Sequence, residues 1–197
     1  MKYQDLIINN GKFIGDFEKM YQIFEDPWKQ SLIKDSISRQ IVINYIKKFN
    51  IKNIIEFGCG LGHTANFIQL NTGIKILGID ISKTSINKAK IKYPDLDFKV
   101  DNTNNILKYD KFQCFFFSEI TWYLLENKMI DKIFESMKKE LKGKFFIHNL
   151  SFYRGNQKYG NEYFKNLEEF ISFCPFDNIG KVEIDLKENK TIETSSI

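Results

Sequence analysis

The sequence predicts an α/β fold: a doubly wound, mostly parallel seven-stranded sheet preceded by an N-terminal helical cap. Three observations predict it. Short apolar runs recur from residue 53 onward, most of them closed by a glycine turn or a polar residue. Stretches of helical period follow the first, second and fourth of these runs. The last two runs are joined only by Lys187-Glu188-Asn189-Lys190, the pattern of a hairpin and not of a crossover. Strands that alternate with helices imply βαβ units, with helices packed on both sheet faces.

The elements follow in order. Phe17, Met20, Tyr21 and Phe24 share one helical face by their i, i+3, i+4, i+7 spacing. After Asp26-Pro27-Trp28, a second helix is predicted from Gln30 to Phe49, with Leu32, Ile33, Ile37, Ile41, Ile43 and Ile46 on one side. These two helices make residues 1–50 the cap, and 51–197 the ligand-binding and catalytic core of one compact domain. Asn53–Phe57 is the first strand, and a helix over His63–Leu70 follows. Ile74–Ile79 is the second strand, ending at Asp80, and Ser82 is a good N-cap for a helix over Lys83–Lys92. Leu96–Val100 ends at Asp101, and Phe112–Phe117 ends at Ser118-Glu119. An amphipathic helix over Asn127–Leu141 precedes Gly143. Lys144–Ile147 is the fifth strand, ending at His148-Asn149, and Asn149–Asn161 is expected to be irregular. A helix around Tyr163–Phe173 stops near Pro175. Lys181–Leu186 and Thr191–Ser195 complete the sheet, one of them antiparallel to the rest.

Composition narrows the function classes. A chain of 197 residues, 43% hydrophobic and 27% charged, has the make-up of one folded domain and not of a disordered chain. Its 3 cysteines form no CxxC pair, and its 2 histidines lie in different elements, so no disulfide framework, zinc knuckle or other metal site is predicted. No apolar run approaches the roughly 20 residues that span a bilayer. The opening residues lack the basic-then-apolar pattern of a secretory signal, which predicts a cytoplasmic protein. The net charge of +4 is spread along the chain, so neither nucleic acid nor membrane is an expected partner.

The strongest motif is Glu56-Phe57-Gly58-Cys59-Gly60-Leu61-Gly62, where a strand ends and a helix begins. Glycines there let the backbone turn tightly and approach a ligand. Asp80, at the end of the next strand, is placed to accept the hydroxyl hydrogens of a ribose. Asp101-Asn102 closes the third strand, so polar groups stand at successive strand ends, as a nucleoside lying across the sheet edge requires. The glycine spacing is GxGxG and not the GxGxxG of nicotinamide dinucleotide sites. Glu56 beside the loop suits a cationic ammonium or sulfonium better than a pyrophosphate.

At these residues the sequence resembles the class I S-adenosylmethionine-dependent methyltransferases, whose motif order EFGCGLG, GIDIS, KVDN and FFFSEITWYL reproduces over about residues 54–150. The resemblance implies a Rossmann-like methyltransferase fold and S-adenosyl-L-methionine as cofactor. It implies that Gly58, Cys59, Gly60 and His63 line the methionine part, Asp80 the ribose, and Asp101-Asn102 the adenine. It places Ile81 and Ser118 beside them, and Glu119 below the methionine moiety. Asp26-Pro27-Trp28 together with Ser118–Leu124 is similar to the nodulation-type N-methyltransferases of aminosugar acceptors. That likeness implies that Trp28 and the helix after it close over the cofactor, and that Arg39 pairs with the methionine carboxylate.

Methyl transfer asks mainly for alignment and exclusion of water. An oxygen acceptor must also lose its proton, and an amine must be neutral. His148 and Glu119, at the ends of neighbouring strands, are the candidate bases. His63, in a helix's first turn, is expected to stay neutral. Trp122 and Tyr123 are expected to wall the acceptor. Tyr153, Arg154, Lys158 and Tyr159 are expected to grip a sugar ring or a phosphate. The expected function is methyl transfer to a small polar acceptor, a sugar or sugar-linked metabolite, at nitrogen or oxygen. A nicotinamide-dependent oxidoreductase and a nucleoside-binding module without catalysis are the alternatives, and self-association is left open.

Overall fold

A computed structural model describes residues 2–33, 36–155, 159–186 and 191–197. Its first elements are a small hairpin, β1 (Ile8–Asn9) and β2 (Lys12–Phe13), then α1 (Phe17–Ile23) and α2 (Ile37–Lys48). β3 (Asn53–Phe57), α3 (His63–Thr72), β4 (Lys75–Asp80), α4 (Lys83–Lys92) and β5 (Asp97–Val100) form the first half of the core. β6 (Cys114–Ser118), α5 (Met129–Glu140), β7 (Phe145–Tyr153), α6 (Leu167–Phe173), β8 (Lys181–Ile184) and β9 (Thr191–Ser196) form the second.

The seven strands of the main sheet run in the order β5-β4-β3-β6-β7-β9-β8. β3 to β7 pair in parallel. β9 is antiparallel to both of its neighbours, as the late hairpin required. β3 and β6 lie at the centre and are buried on both faces, which explains their unbroken apolar runs. Strand alternation then assigns side chains to two layers. Cys114 and Phe116 face α2, α3 and α4. Phe115 and Phe117 face α5 and α6. β3 connects to β4 on one side, while β6 lies on its other side. The crevice between the carboxyl ends of β3 and β6 is therefore the topological switch point, where open α/β sheets bind ligands.

Three expectations are corrected. The second helix begins at Ile37 and not near Gln30, because the Ser36 hydroxyl caps it by accepting from Arg39 N–H, and Gln30–Leu32 is a separate 3-10 turn. α2 packs against α3 and β9, inside one flank of the core, so it is not part of a cap. What stands over the site is the stretch before it, a hairpin and one short helix. β7 runs on to Tyr153, past the expected end at Ile147, because residues 148–153 find ladder partners in β9. Asn149–Tyr153 is therefore strand and not irregular loop.

Candidate active site

The glycine bend is fixed to the sheet before it meets any ligand. Gly58 and Cys59 N–H both donate to Ile79 O, at 2.8 and 2.9 Å, which ties the bend to β4. Gly58 has φ +73°, and a Cβ there would stand 2.1 Å from Ile120 Cγ2. Gly60 has φ +53°, and a Cβ there would stand 2.6 Å from the Tyr21 hydroxyl. Both conformation and crowding thus demand glycine. Gly60 N–H donates to Asp80 Oδ2 at 2.9 Å, and Ser82 N–H to Asp80 Oδ1 at 2.8 Å. Asp80 is 8% exposed, and burial raises its pKa against these bonds. Ile81 beside it is exposed.

At the end of β5, Asp101 accepts from Tyr109 OH at 2.6 Å, Asn105 Nδ2 at 2.6 Å and Asn102 N–H at 2.9 Å. Burial opposes ionisation there, yet these bonds prevail and hold the carboxylate well below its usual range. Asn102 stays exposed and caps the following 3-10 turn.

A buried polar group surrounds the root of the bend. Glu56 Oε2 has no hydrogen-bond partner among the described residues. Burial pushes its pKa up to about 8, although Arg39 opposes the rise. Arg39 is itself buried, with one bond to Ile33 O at 3.4 Å. His63 Nδ1 bonds the Tyr93 hydroxyl at 2.8 Å, while Nε2 has no partner among the described residues. Burial lowers the His63 pKa, so the ring is neutral. Glu56, buried with open hydrogen-bonding capacity among the described residues, suits a ligand that brings a cation to it. Cys59 departs from the expectation: its side chain turns beneath the bend into the core.

Across the crevice, Ser118 ends β6, and Glu119 follows in the left-handed region with φ +60°. A non-glycine residue held there stores strain, a common property of functional turns. Its carboxylate accepts from Ser151 N–H and Oγ, both at 2.9 Å. Burial raises the carboxyl to about 7, with Ser151 opposing and Glu193 adding to the rise. Tyr123 stacks on Phe13 at 6.1 Å and meets Phe17 at 5.1 Å and Trp28 at 6.2 Å, which makes an aromatic wall beside Glu119.

Three further expectations are corrected. His148 does not face the crevice. It lies within the extended β7, fully buried, stacked on Phe170 at 3.8 Å and bonded through Nε2 to Thr121 Oγ1 at 2.6 Å. Burial lowers its pKa to about 3. Trp122 packs between Phe152 and Phe164 and donates to Ser151 O, so it supports the site from behind instead of walling it. Arg154 is engaged by Asp185 and by Leu186 O, and Tyr153 before it is exposed. Lys158 lies outside the described residues. Sequence reasoning missed Tyr21 and Ser151. The spacing signal placed Tyr21 on a helix's apolar face, and nothing local marked Ser151 as the partner of Glu119. Among the described residues no group of three or more His, Cys, Asp or Glu side chains converges.

Residues 54–144 match a family model described as a methyltransferase domain. The putative methyltransferase 235L of Invertebrate iridescent virus 6 is 38% identical over 80 residues, a match that covers 37% of this chain and 30% of that relative. The chain thus spans under a third of the relative's length. Two solved structures share the fold. A S-adenosylmethionine-dependent methyltransferase from Clostridium acetobutylicum aligns with a TM-score of 0.62 and 13% identity, over 91% of this chain and 98% of that one. The N-methyltransferase NodS from Bradyrhizobium japonicum, in complex with S-adenosyl-L-homocysteine, aligns with a TM-score of 0.60 and 14% identity, over 88% and 92%. The glycine bend tied to β4 and Asp80 beside it lie within the matched residues 54–144, and that match supports S-adenosylmethionine as the cofactor.

Proposed function

We propose that the protein methylates a small polar acceptor, a sugar or sugar-linked metabolite, at nitrogen or oxygen. The cofactor supplies a methyl group on a positively charged sulfur, which leaves as a neutral thioether. Arg39 holds the methionine carboxylate and Glu56 faces the positive charge. Asp80 holds the ribose, with its backbone donors fixing the carboxylate in place. Ile81 and Asp101-Asn102 border the adenine. Tyr123 and Trp28 present ring faces that suit the C–H surfaces of a sugar, and Tyr153 stands at the mouth. NodS, an N-methyltransferase of the same fold, supports a nitrogen acceptor. No helix of the described residues is long and apolar enough to cross a membrane, and Cys59, Cys114 and Cys174 are free thiols, which supports a reducing, cytoplasmic setting.

One observation carries the acceptor chemistry: Glu119 is anchored by Ser151, adjoins the aromatic wall and titrates near neutrality. It takes a proton from the acceptor and leaves the attacking atom with a free electron pair. A carboxyl at about 7 works as a base once ionised, so turnover is expected to rise with pH through that value. The test is a panel of amino and hydroxyl sugars assayed for S-adenosylhomocysteine release, with Glu119→Gln alongside. The variant is expected to lose about a hundredfold or more in turnover while keeping its affinity for S-adenosylhomocysteine. No turnover by the wild type on any acceptor, or full turnover by the variant, overturns the reading.

A further inference from the structure

The late hairpin brings a second acid to the crevice. On β9, Glu193 lies directly opposite Ser151. The Ser151 N–H is turned away from β9, towards the Glu119 carboxylate. Ser151 and Glu193 thus face each other without ladder hydrogen bonds between them. In antiparallel strands that is the arrangement in which facing side chains stand closest. Ser151 Oγ also donates to Glu119, so one serine stands between the two acids.

Alternation fixes the face. Leu150 and Phe152 point into the layer of α5 and α6, so Asn149, Ser151, Glu193 and Ser195 share the other one. α2 crosses that face: Tyr45 OH donates to Ser195 O at 3.4 Å, and Asn149 Nδ2 to Ser38 O at 3.5 Å. Arg39, the next residue, brings a cation there. Burial lowers its pKa, and Glu193 is among the acids that oppose the fall. Glu193 is half-buried. Its negative charge adds to the rise of Glu119, which burial chiefly causes. The groups facing Glu119 are thus Ser151 from β7, Glu193 from β9 and the Tyr123 hydroxyl. Ile184, opposite Glu193 on β8, carries no charge.

We propose that Glu193 is a positioning residue for the transfer: it stands across Ser151 from Glu119, and its negative charge makes Glu119 a stronger base towards the acceptor. The proposal rests on the reading of Glu119 as that base. Glu193 acts without touching the acceptor, because a like charge disfavours ionisation of its neighbour through the poorly polarisable space between them. When the acceptor's N–H or O–H bond breaks, the electron pair stays on the attacking atom and the proton goes to Glu119. Two like charges then become one, which favours the step. The proton passes to solvent after the product leaves.

The experiment follows the Glu119 carboxyl itself in the full chain, by carbon-13 NMR of labelled glutamate, through the pH range around 7. Its signal is assigned by its loss in Glu119→Gln, and no acceptor is required. Glu193→Gln and Glu193→Thr, the second a good strand former, are expected to lower the Glu119 midpoint by roughly 1 pH unit, about tenfold in proton affinity. Glu193→Asp keeps the charge and is expected to restore most of the wild-type midpoint. On any acceptor that the wild type turns over, the rise of turnover with pH is expected to move down by the same interval in the neutral variants. A midpoint unmoved in both neutral variants overturns the role of Glu193 while Glu119 stands as the base. An equal fall in Glu193→Asp shows that packing and not charge is responsible, and overturns it too. A wild-type midpoint near the ordinary 4.5 overturns the base and its partner together.

Discussion

At Gly58 one methyl group decides the geometry of the bend. Alanine there must adopt a positive φ and also meet Ile120 Cγ2 at 2.1 Å. Gly58→Ala is expected to cost about 1–3 kcal/mol of stability, from backbone strain and overpacking together, measured as a lowered thermal midpoint. A midpoint equal to the wild type's would show that Ile120 can withdraw freely. Residues of this kind were legible in the sequence, because their constraint is local: a strand ends, the chain must turn and a helix must start, all within Glu56–His63. Asp80 was legible for the same reason, standing at the end of the adjacent strand. Ser151 was not, because its bond to Glu119 joins two strand ends far apart in the chain and leaves no periodic trace.

Element boundaries show where local reading stops. The cap that was read as a cap placed its helix well: α4 begins after Ser82, whose hydroxyl accepts from Ser85 N–H, whereas Ser36, not singled out as a cap, left the start of α2 misplaced. β7 was cut short, because its second half is polar on one side and owes its strand form to β9. That single misjudged end turned His148 from a buried ring into an apparent crevice residue. Once β7 runs to Tyr153, alternation puts His148 with Leu150 and Phe152 against α6, and Asn149 and Ser151 on the opposite side. His148→Gln is accordingly expected to lower stability while the rise of turnover with pH near 7 persists. Loss of that rise in the variant would return the base to His148.

For the molecule as a whole, buried titratable groups set the pH range of stability. Glu56 and Glu119, at about 8 and about 7, lie above their ordinary 4.5. Between those limits the folded protein keeps protons that the unfolded chain has released, so stability falls as pH rises. His148, at about 3 against 6.5, acts oppositely: the unfolded chain binds the extra proton, and stability rises with pH up to 6.5. The slopes oppose each other at mildly acidic pH, and above 6.5 only the decline remains. Two carboxyls outweigh one imidazole once pH passes the ordinary carboxyl value of 4.5, so thermal midpoints without cofactor are expected to peak at about pH 4–5 and to fall towards pH 8. A midpoint that stays flat or climbs from pH 6.5 to 8 would mean that neither carboxyl is held neutral. Glu56→Gln is expected to flatten the decline.

The central position of β6 has a further consequence. Phe112–Phe117 joins high strand propensity to an uncharged, proline-free run, and the fold shields it between β3 and β7. Torn from those neighbours, the same six residues are a template for cross-β stacking between chains. Lys108, Asp110 and Lys111 before the run and Glu119 after it stand as charged gatekeepers. Partial denaturation that detaches β7 from β6 should thus lead to irreversible clumping, not clean refolding.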